Sequence, residues 1–223
     1  MNRFEELIEK DIDERATALF EIEKVLFTKR YNLSKKHTEI FSVQSISMIY
    51  AIWEGFIQTS FCLLADEINT QNIHPENLKE ELYIHHMEST FKQLNEYPNK
   101  SNKKISFFNK LKEFFGFDVV RLKSGVNTQS NISYEVLNGI LKSYCLIPFP
   151  EHWSIYSYPN TSLKDSLSLF LRYRNGVAHG GDISSEEKVT QEVFDRYKKL
   201  VLNLMYEIQI KMNEAQRNTQ YLK

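Results

Sequence analysis

Residues that interrupt helices are scarce in this sequence, which has seven glycines and five prolines among 223 residues. No stretch sustains the alternation of apolar and polar residues that is typical of a half-buried strand, and no internal repeat or low-complexity segment occurs. Hydrophobic residues make up 42% of the chain, which is enough for a packed core. These features exclude an extended or disordered protein and favour long helices.

Cysteine and net charge are also low. Cys62 and Cys145 lie far apart in apolar surroundings, which favours buried free thiols over a disulfide or a metal site. The formal net charge is −1, so any RNA binding must come from a local positive patch. The N-terminus has no basic region followed by an apolar run, as a signal peptide would have. We also expect no segment of the sequence to be long and apolar enough to cross a membrane. We therefore expect a cytoplasmic protein without membrane contact.

Signatures of several common enzyme sites are missing. The adjacent His85 and His86 would point to different sides of a helix, and the sequence has no His-Glu-x-x-His pair and no paired cysteines. It also has no Walker loop and no Gly-x-Ser-x-Gly elbow. We therefore predict no metal site.

Apolar residues at spacings of three and four predict an all-α helical bundle in a single domain, 1–223. The predicted core helices span about 3–30, 38–67, 161–179 and 185–213, with an irregular helical insertion at about 73–159. The second helix has an apolar stripe large enough for the centre of the bundle: Ile46, Ile49, Tyr50, Trp53, Ile57, Phe61 and Leu64. Ser162 with Asp165 is predicted to begin the third core helix, and Ser184 with Glu187 forms a capping box for the last.

The end of the third core helix, residues 169–181, combines an apolar pattern with a cation and a histidine. Arg174 follows Phe170 by one helical turn, so it falls on the apolar face. A guanidinium stays charged, so Arg174 must meet a carboxylate, backbone carbonyls or a bound phosphate. His179 stands at the predicted helix end, where Gly180 and Gly181 allow the chain to bend and bring the imidazole toward the same cleft.

Arg174, Asn175 and His179 resemble the motif of ribonucleases in the HEPN superfamily (higher eukaryotes and prokaryotes nucleotide-binding). In that motif four to six residues separate an arginine from a histidine, and asparagine often follows the arginine. The resemblance implies a HEPN-like bundle that acts as a metal-independent endoribonuclease without a cofactor. It also implies a homodimer whose two motifs face each other in one composite cleft, and a toxin or anti-phage effector with an antitoxin or other regulatory protein as a candidate partner.

Each motif residue has a role that suits its chemistry. Histidine exchanges protons near neutral pH, so His179 would serve as acid or base, and cleavage by the substrate's 2′-hydroxyl would leave a 2′,3′-cyclic phosphate. Arg174 would bind the scissile phosphate and stabilise the transition state. Asn175 would orient His179 or bind phosphate or sugar. Glu54, at the edge of the second helix's stripe, is predicted to face Arg174 or the motif of a partner chain; a solvated glutamate is the alternative.

Basic residues elsewhere suggest an RNA-binding surface. Lys103, Lys104 and Lys110 are interleaved with Phe107–Phe108, and Arg172 lies beside the motif. The alternative for the lysines is a solvated helix face whose phenylalanines are core.

Two other functions remain open. One is a HEPN-like module that binds RNA, nucleotide or a partner protein without cutting RNA. The other is a structural or regulatory bundle in which Arg174 forms a buried ion pair and His179 is an ordinary helix cap.

Overall fold

The computed structural model describes residues 3–94, 97–129, 131–153, 162–178 and 189–223. Within these ranges the chain is helical, and its β-structure is limited to one isolated bridge between Leu78 and Leu222. The α-helices are α1 (Arg3–Phe27), α2 (Lys35–Thr70), α3 (Glu80–Thr90), α4 (Ser101–Phe115), α5 (Tyr134–Ser143), α6 (Leu163–Ala178) and α7 (Gln191–Arg217). The predicted all-α fold is confirmed.

The bundle is organised around α2, which is 36 residues long. This helix packs against α1, α6 and α7. Trp53, Phe56, Ile57 and Phe61 of α2 are completely buried. Because neighbouring helices cover much of its circumference, α2 carries apolar residues on more than one face.

The same helix contradicts one expectation from the sequence. By length and composition α2 could cross a membrane, since an 18-residue window has a mean hydropathy of 1.3, with 44% of that window buried in the structure. The expectation that no window is long and apolar enough is therefore wrong. Packing against three other helices gives a physical reason for this composition, since a central bundle helix is selected for apolar residues.

The start of α6 follows the predicted cap. Ser162 Oγ accepts a hydrogen bond from the Asp165 N–H at 3.0 Å, which satisfies one of the free donors of the first turn. The helix then buries Leu163, Leu167 and Phe170 against the core. Because this face is fixed against the core, it determines the direction in which the later side chains of α6 point.

The last helix begins later than predicted. Its first residue is Gln191 rather than a residue near 185, and the Thr190 hydroxyl accepts a hydrogen bond from the Val193 N–H. The predicted capping pair, Ser184 and Glu187, lies outside the described residues. A threonine next to the first buried turn serves as the cap here.

The middle third adds a smaller apolar cluster beside the main core. Phe91, Phe107 and Phe114 pack together between α3 and α4. The chain after α4 returns to the main core through Leu122 and Ile132, and α5 then contacts α3 and α6. The two cysteines are free thiols, as predicted, although each is half-buried rather than buried.

Truncation of a buried ring in α2 tests the role of this helix as the core. Phe61 is fully buried and packs edge-to-face on Tyr144, whereas Phe41 in the same helix is 49% exposed. We expect Phe61→Ala to lower the free energy of unfolding by about 3–5 kcal/mol, from lost burial and the cavity left behind. The matched Phe41→Ala should change it by less than about 0.5 kcal/mol. Urea denaturation measures both values, and equal losses would contradict the assigned packing.

Candidate functional site

Arg174 lies in the last turns of α6 and turns toward α2, as its place in the apolar pattern predicts. Its guanidinium lies over the ring of Tyr50, with Cζ 5.1 Å from the ring centroid. Nη1 donates to Asn175 Oδ1 at 2.9 Å and, more weakly, to Asn131 Oδ1 at 3.4 Å. A ring face and two neutral amide oxygens therefore hold this cation.

No carboxylate forms an ion pair with Arg174 in the part of the chain that the structure describes. The sequence predicted a carboxylate, backbone carbonyls or a bound phosphate as its partner, and the observed amide oxygens are a fourth solution. They orient the guanidinium without cancelling its charge. Because the side chain is half-buried, this charge attracts an anion more strongly than a fully solvated arginine would.

Tyr50 forms the floor under Arg174. Its hydroxyl accepts a hydrogen bond from the Ile132 N–H at 2.8 Å, and the edge of its ring contacts Phe170, one turn before Arg174. Burial raises the pKa of the Tyr50 hydroxyl above its ordinary value, so the group stays neutral and suits its role as acceptor. Tyr50 thereby ties the segment before α5 to α2 and places Asn131 beside the arginine.

Glu54 lies one turn after Tyr50, on the same side of α2. Its Oε1 accepts a hydrogen bond from Thr128 Oγ1 at 2.6 Å. Within the described residues Glu54 makes no ion pair with Arg174, so the structure does not bring the two into direct contact. The other predicted arrangement, in which Glu54 faces the motif of a partner chain, stays a prediction.

His179 lies outside the described residues, as do the two glycines after it. The helix that carries Arg174 ends at Ala178, the residue immediately before the histidine. The prediction that the imidazole shares a cleft with Arg174 therefore stays a prediction. Asn175 is described, and it is hydrogen-bonded to Arg174.

The basic residues predicted to bind RNA occupy two places. Arg172 is exposed and lies about 200° around α6 from Arg174, so it does not share the Tyr50 floor. Lys103 and Lys110 are exposed on α4, and Lys104 Nζ lies 5.1 Å from the centre of the Tyr97 ring. The phenylalanines of α4 divide between the two interpretations, because Phe107 is buried whereas Phe108 is 51% exposed.

The histidines of α3 diverge as predicted. The ring of His85 contacts Tyr144, with 4.9 Å between centroids, while the ring of His86 contacts Phe114 at 5.0 Å. Among the residues that the structure describes, no group of three or more His, Cys, Asp or Glu side chains is placed to hold a metal ion.

Two polar residues of this site, Asn131 and Thr128, escaped the sequence reasoning. Asn131 lies 43 positions before Arg174 in the chain, and Thr128 lies 74 positions after Glu54. Both belong to an irregular segment without periodicity, so no local pattern connects them to α2 or α6. The only indication in the sequence was the high proportion of polar residues just before α5.

A comparison with protein families matches residues 4–221 to the family described as HEPN_MAE_28990-like HEPN. The matched range includes the middle third as well as the four core helices. No curated protein and no solved structure matches the chain significantly.

Removal of the Tyr50 hydroxyl tests the floor of the site. Tyr50→Phe keeps the ring under Arg174 but leaves the buried Ile132 N–H without its acceptor, so we expect the free energy of unfolding to fall by about 1–3 kcal/mol. Tyr206→Phe is the matched control, because Tyr206 is 45% exposed. This substitution should change the free energy of unfolding by less than about 0.5 kcal/mol. Urea denaturation of both variants measures the difference. Indistinguishable curves would show that the Tyr50 hydrogen bond does not stabilise the fold.

Proposed function

The chain belongs to the HEPN superfamily, and from this premise we propose that it is a metal-independent endoribonuclease. The observation that carries the proposal is the half-buried Arg174, held by Tyr50 and amide oxygens and neutralised by no carboxylate in the described part of the chain. A fixed cation of this kind suits a phosphodiester better than a structural ion pair. Its position, on the helix that leads directly into His179, supports the same conclusion.

The chemistry uses the substrate's own nucleophile. The 2′-oxygen attacks the neighbouring phosphorus, the bond to the 5′-oxygen breaks, and the products are a 2′,3′-cyclic phosphate and a free 5′-hydroxyl. One imidazole accepts the 2′-hydroxyl proton and another donates a proton to the leaving oxygen. Arg174 stabilises the extra negative charge on the phosphoryl oxygens in the transition state.

The motif supplies one histidine per chain, so two motif histidines in one cleft require two chains. We propose a homodimer in which the motifs face each other, so that each protomer supplies one His179 and one Arg174 to a composite site. Glu54, on the same side of α2 as Tyr50, would then border the cleft and help to position the partner's motif. Asn175 acts as a positioning residue, because its amide oxygen fixes the direction of the Arg174 guanidinium.

The cellular role we propose is that of a toxin or anti-phage effector in the cytoplasm, where RNA is available. Such an activity must be restrained, which suggests an antitoxin or another regulatory protein as partner. Lys103, Lys104, Lys110 and Arg172 would extend RNA contacts beyond the scissile phosphate. Their exposure supports this role for Lys103, Lys110 and Arg172.

Cleavage of single-stranded RNA in the presence of a chelator tests the catalytic assignment. We expect Arg174→Ala to lower the cleavage rate by about 10²–10³-fold, from loss of charge stabilisation. His179→Ala should lower it by about 10²–10⁴-fold, from loss of proton transfer. Arg174→Lys should recover only part of the activity, because an ammonium lacks the fixed fork of the guanidinium.

Exposed residues of the same types provide the controls. Arg30→Ala and His37→Ala remove a surface arginine and a surface histidine and should cut RNA at the rate of the unaltered chain. Chelator-resistant cutting that survives His179→Ala would end the catalytic assignment. RNA binding that depends on Arg174, without any cutting, would instead identify the non-catalytic HEPN module.

The composite cleft has a separate test. The unaltered chain and the His179→Ala chain, carrying different tags, are co-expressed, so that about half of randomly paired dimers contain one copy of each. Such a mixed dimer has one intact histidine where the cleavage step uses two, so we expect its cleavage rate to lie near that of the His179→Ala dimer, about 10²-fold or more below that of the unaltered dimer. Tag-selected mixed dimers that cut RNA at about half the rate of the unaltered dimer would contradict a cleft shared between chains, since each chain would then carry its own complete site.

A further inference from the structure

A cavity of about 260 Å³ opens between α3, α4 and the chain that follows α4. We call it the α3–α4 pocket and define it by its aromatic walls and its cation: Tyr83, His86, Phe114, Phe117 and Lys123. Phe115, the last residue of α4, contacts the ring of Phe114 but does not itself line the pocket. Its volume lies below the roughly 300–1,000 Å³ of sites for drug-sized ligands, so it suits one ring system.

This pocket lies far from Arg174. Arg121, one of its lining residues, donates a hydrogen bond to the Asn69 carbonyl at the end of α2. Tyr50, the residue under Arg174, stands nineteen positions earlier in the same helix, which corresponds to about 28 Å along the helix axis. The α3–α4 pocket is therefore separate from the site described above.

His86 and Thr90 contribute polar residues to the pocket wall. His86 is only 7% exposed, and its Nδ1 and the Thr90 Oγ1 are closed to solvent and have no hydrogen-bond partner among the described residues. The surface that a ligand meets in this pocket is therefore mostly aromatic and apolar, which favours a flat ring packed against the walls. Burial, with smaller effects from His85 and Lys123, lowers the pKa of His86 to about 4, so its imidazole is neutral near pH 7.

Both charged side chains that line the pocket in the described part of the chain are cations. Lys123 is exposed at its border, where Nζ donates to the Ser89 carbonyl at 3.2 Å, and Arg121 also lines it. No acidic side chain lines the pocket within the described residues. The surroundings therefore favour a ligand that carries a negative charge beside its ring.

We propose that the α3–α4 pocket binds one unstacked nucleobase together with its phosphate. The base lies against Phe114 and Phe117, and the phosphate meets Lys123. This chemistry has two sources, a nucleotide within single-stranded RNA or a free nucleoside monophosphate. The RNA source rests on the ribonuclease activity proposed above, whereas binding of a free nucleotide does not.

Binding measurements on the full-length chain test the pocket. The background variant is His179→Ala, so that RNA stays intact, and the probes are fluorescein-labelled oligoadenylate and oligouridylate, followed by anisotropy. Calorimetric titration with AMP and UMP forms the second arm. We expect Phe117→Ala to weaken binding in at least one arm about tenfold, from lost stacking, and Lys123→Ala to weaken it about fivefold, from a lost phosphate contact.

Matched controls separate the pocket from general surface effects. Phe117 and Phe115 are 62% and 63% exposed and lie two positions apart, but only Phe117 lines the pocket. Phe115→Ala should therefore change affinity less than about twofold, within the usual range of surface substitutions. Lys123→Ala is compared in the same way with Lys29→Ala, which removes an exposed lysine of the short turn after α1. Far-UV circular dichroism confirms that each variant is folded.

The outcomes distinguish the two sources and the two proposals. Dependence on Phe117 in the RNA arm assigns the pocket to the substrate strand, and dependence in the calorimetric arm assigns it to a free nucleotide. Equal effects of Phe117→Ala and Phe115→Ala in both arms, or no binding in either, would contradict the proposal that the pocket binds a nucleotide.

The two proposals can fail independently. Binding that depends on Phe117 in a chain that never cuts RNA would contradict the proposed ribonuclease activity and support the nucleotide site. Cutting that depends on His179, with binding unchanged by Phe117→Ala, would support the ribonuclease activity and contradict the nucleotide site.

Discussion

The site depends on a cation that, among the residues the structure describes, rests on an aromatic ring and amide oxygens rather than on a carboxylate. The ring contact and the hydrogen bonds of Arg174 each contribute on the order of 0.5–3 kcal/mol, which offsets part of the cost of removing the charge from water. They leave its net charge in place. A carboxylate in the same position would cancel that charge and weaken its attraction for an anion.

The bundle maintains this arrangement from both sides. On one side α2 is fixed by burial against three helices, so the ring of Tyr50 has little freedom to move. On the other side the Tyr50 hydroxyl pins Ile132, and the preceding Asn131 is thereby brought to the guanidinium. The core therefore supplies the rigidity, and an irregular segment from the middle third supplies a polar group. This division explains why residues far apart in the chain meet at one helix end.

Local patterns were sufficient for most of the helices, because apolar spacing and caps act over a few residues. They placed Arg174 on the face of Phe170 and identified Ser162 as the cap of α6. They failed where tertiary contacts, rather than local sequence, determine the structure. The apolar composition of α2 reflects coverage by other helices, and α7, capped by Thr190, begins several residues later than predicted. The contact of Asn131 with Arg174 spans 43 positions, so no window of the sequence contains both.

The most direct measurement is a crystal structure of the chain with a single-stranded RNA whose 2′-oxygens are methylated, since this RNA cannot supply its own nucleophile. The account predicts that a phosphate oxygen lies within hydrogen-bond distance of the Arg174 guanidinium, with a His179 imidazole beside the neighbouring 2′-oxygen. RNA bound along another surface, with no phosphate at Arg174, would contradict it.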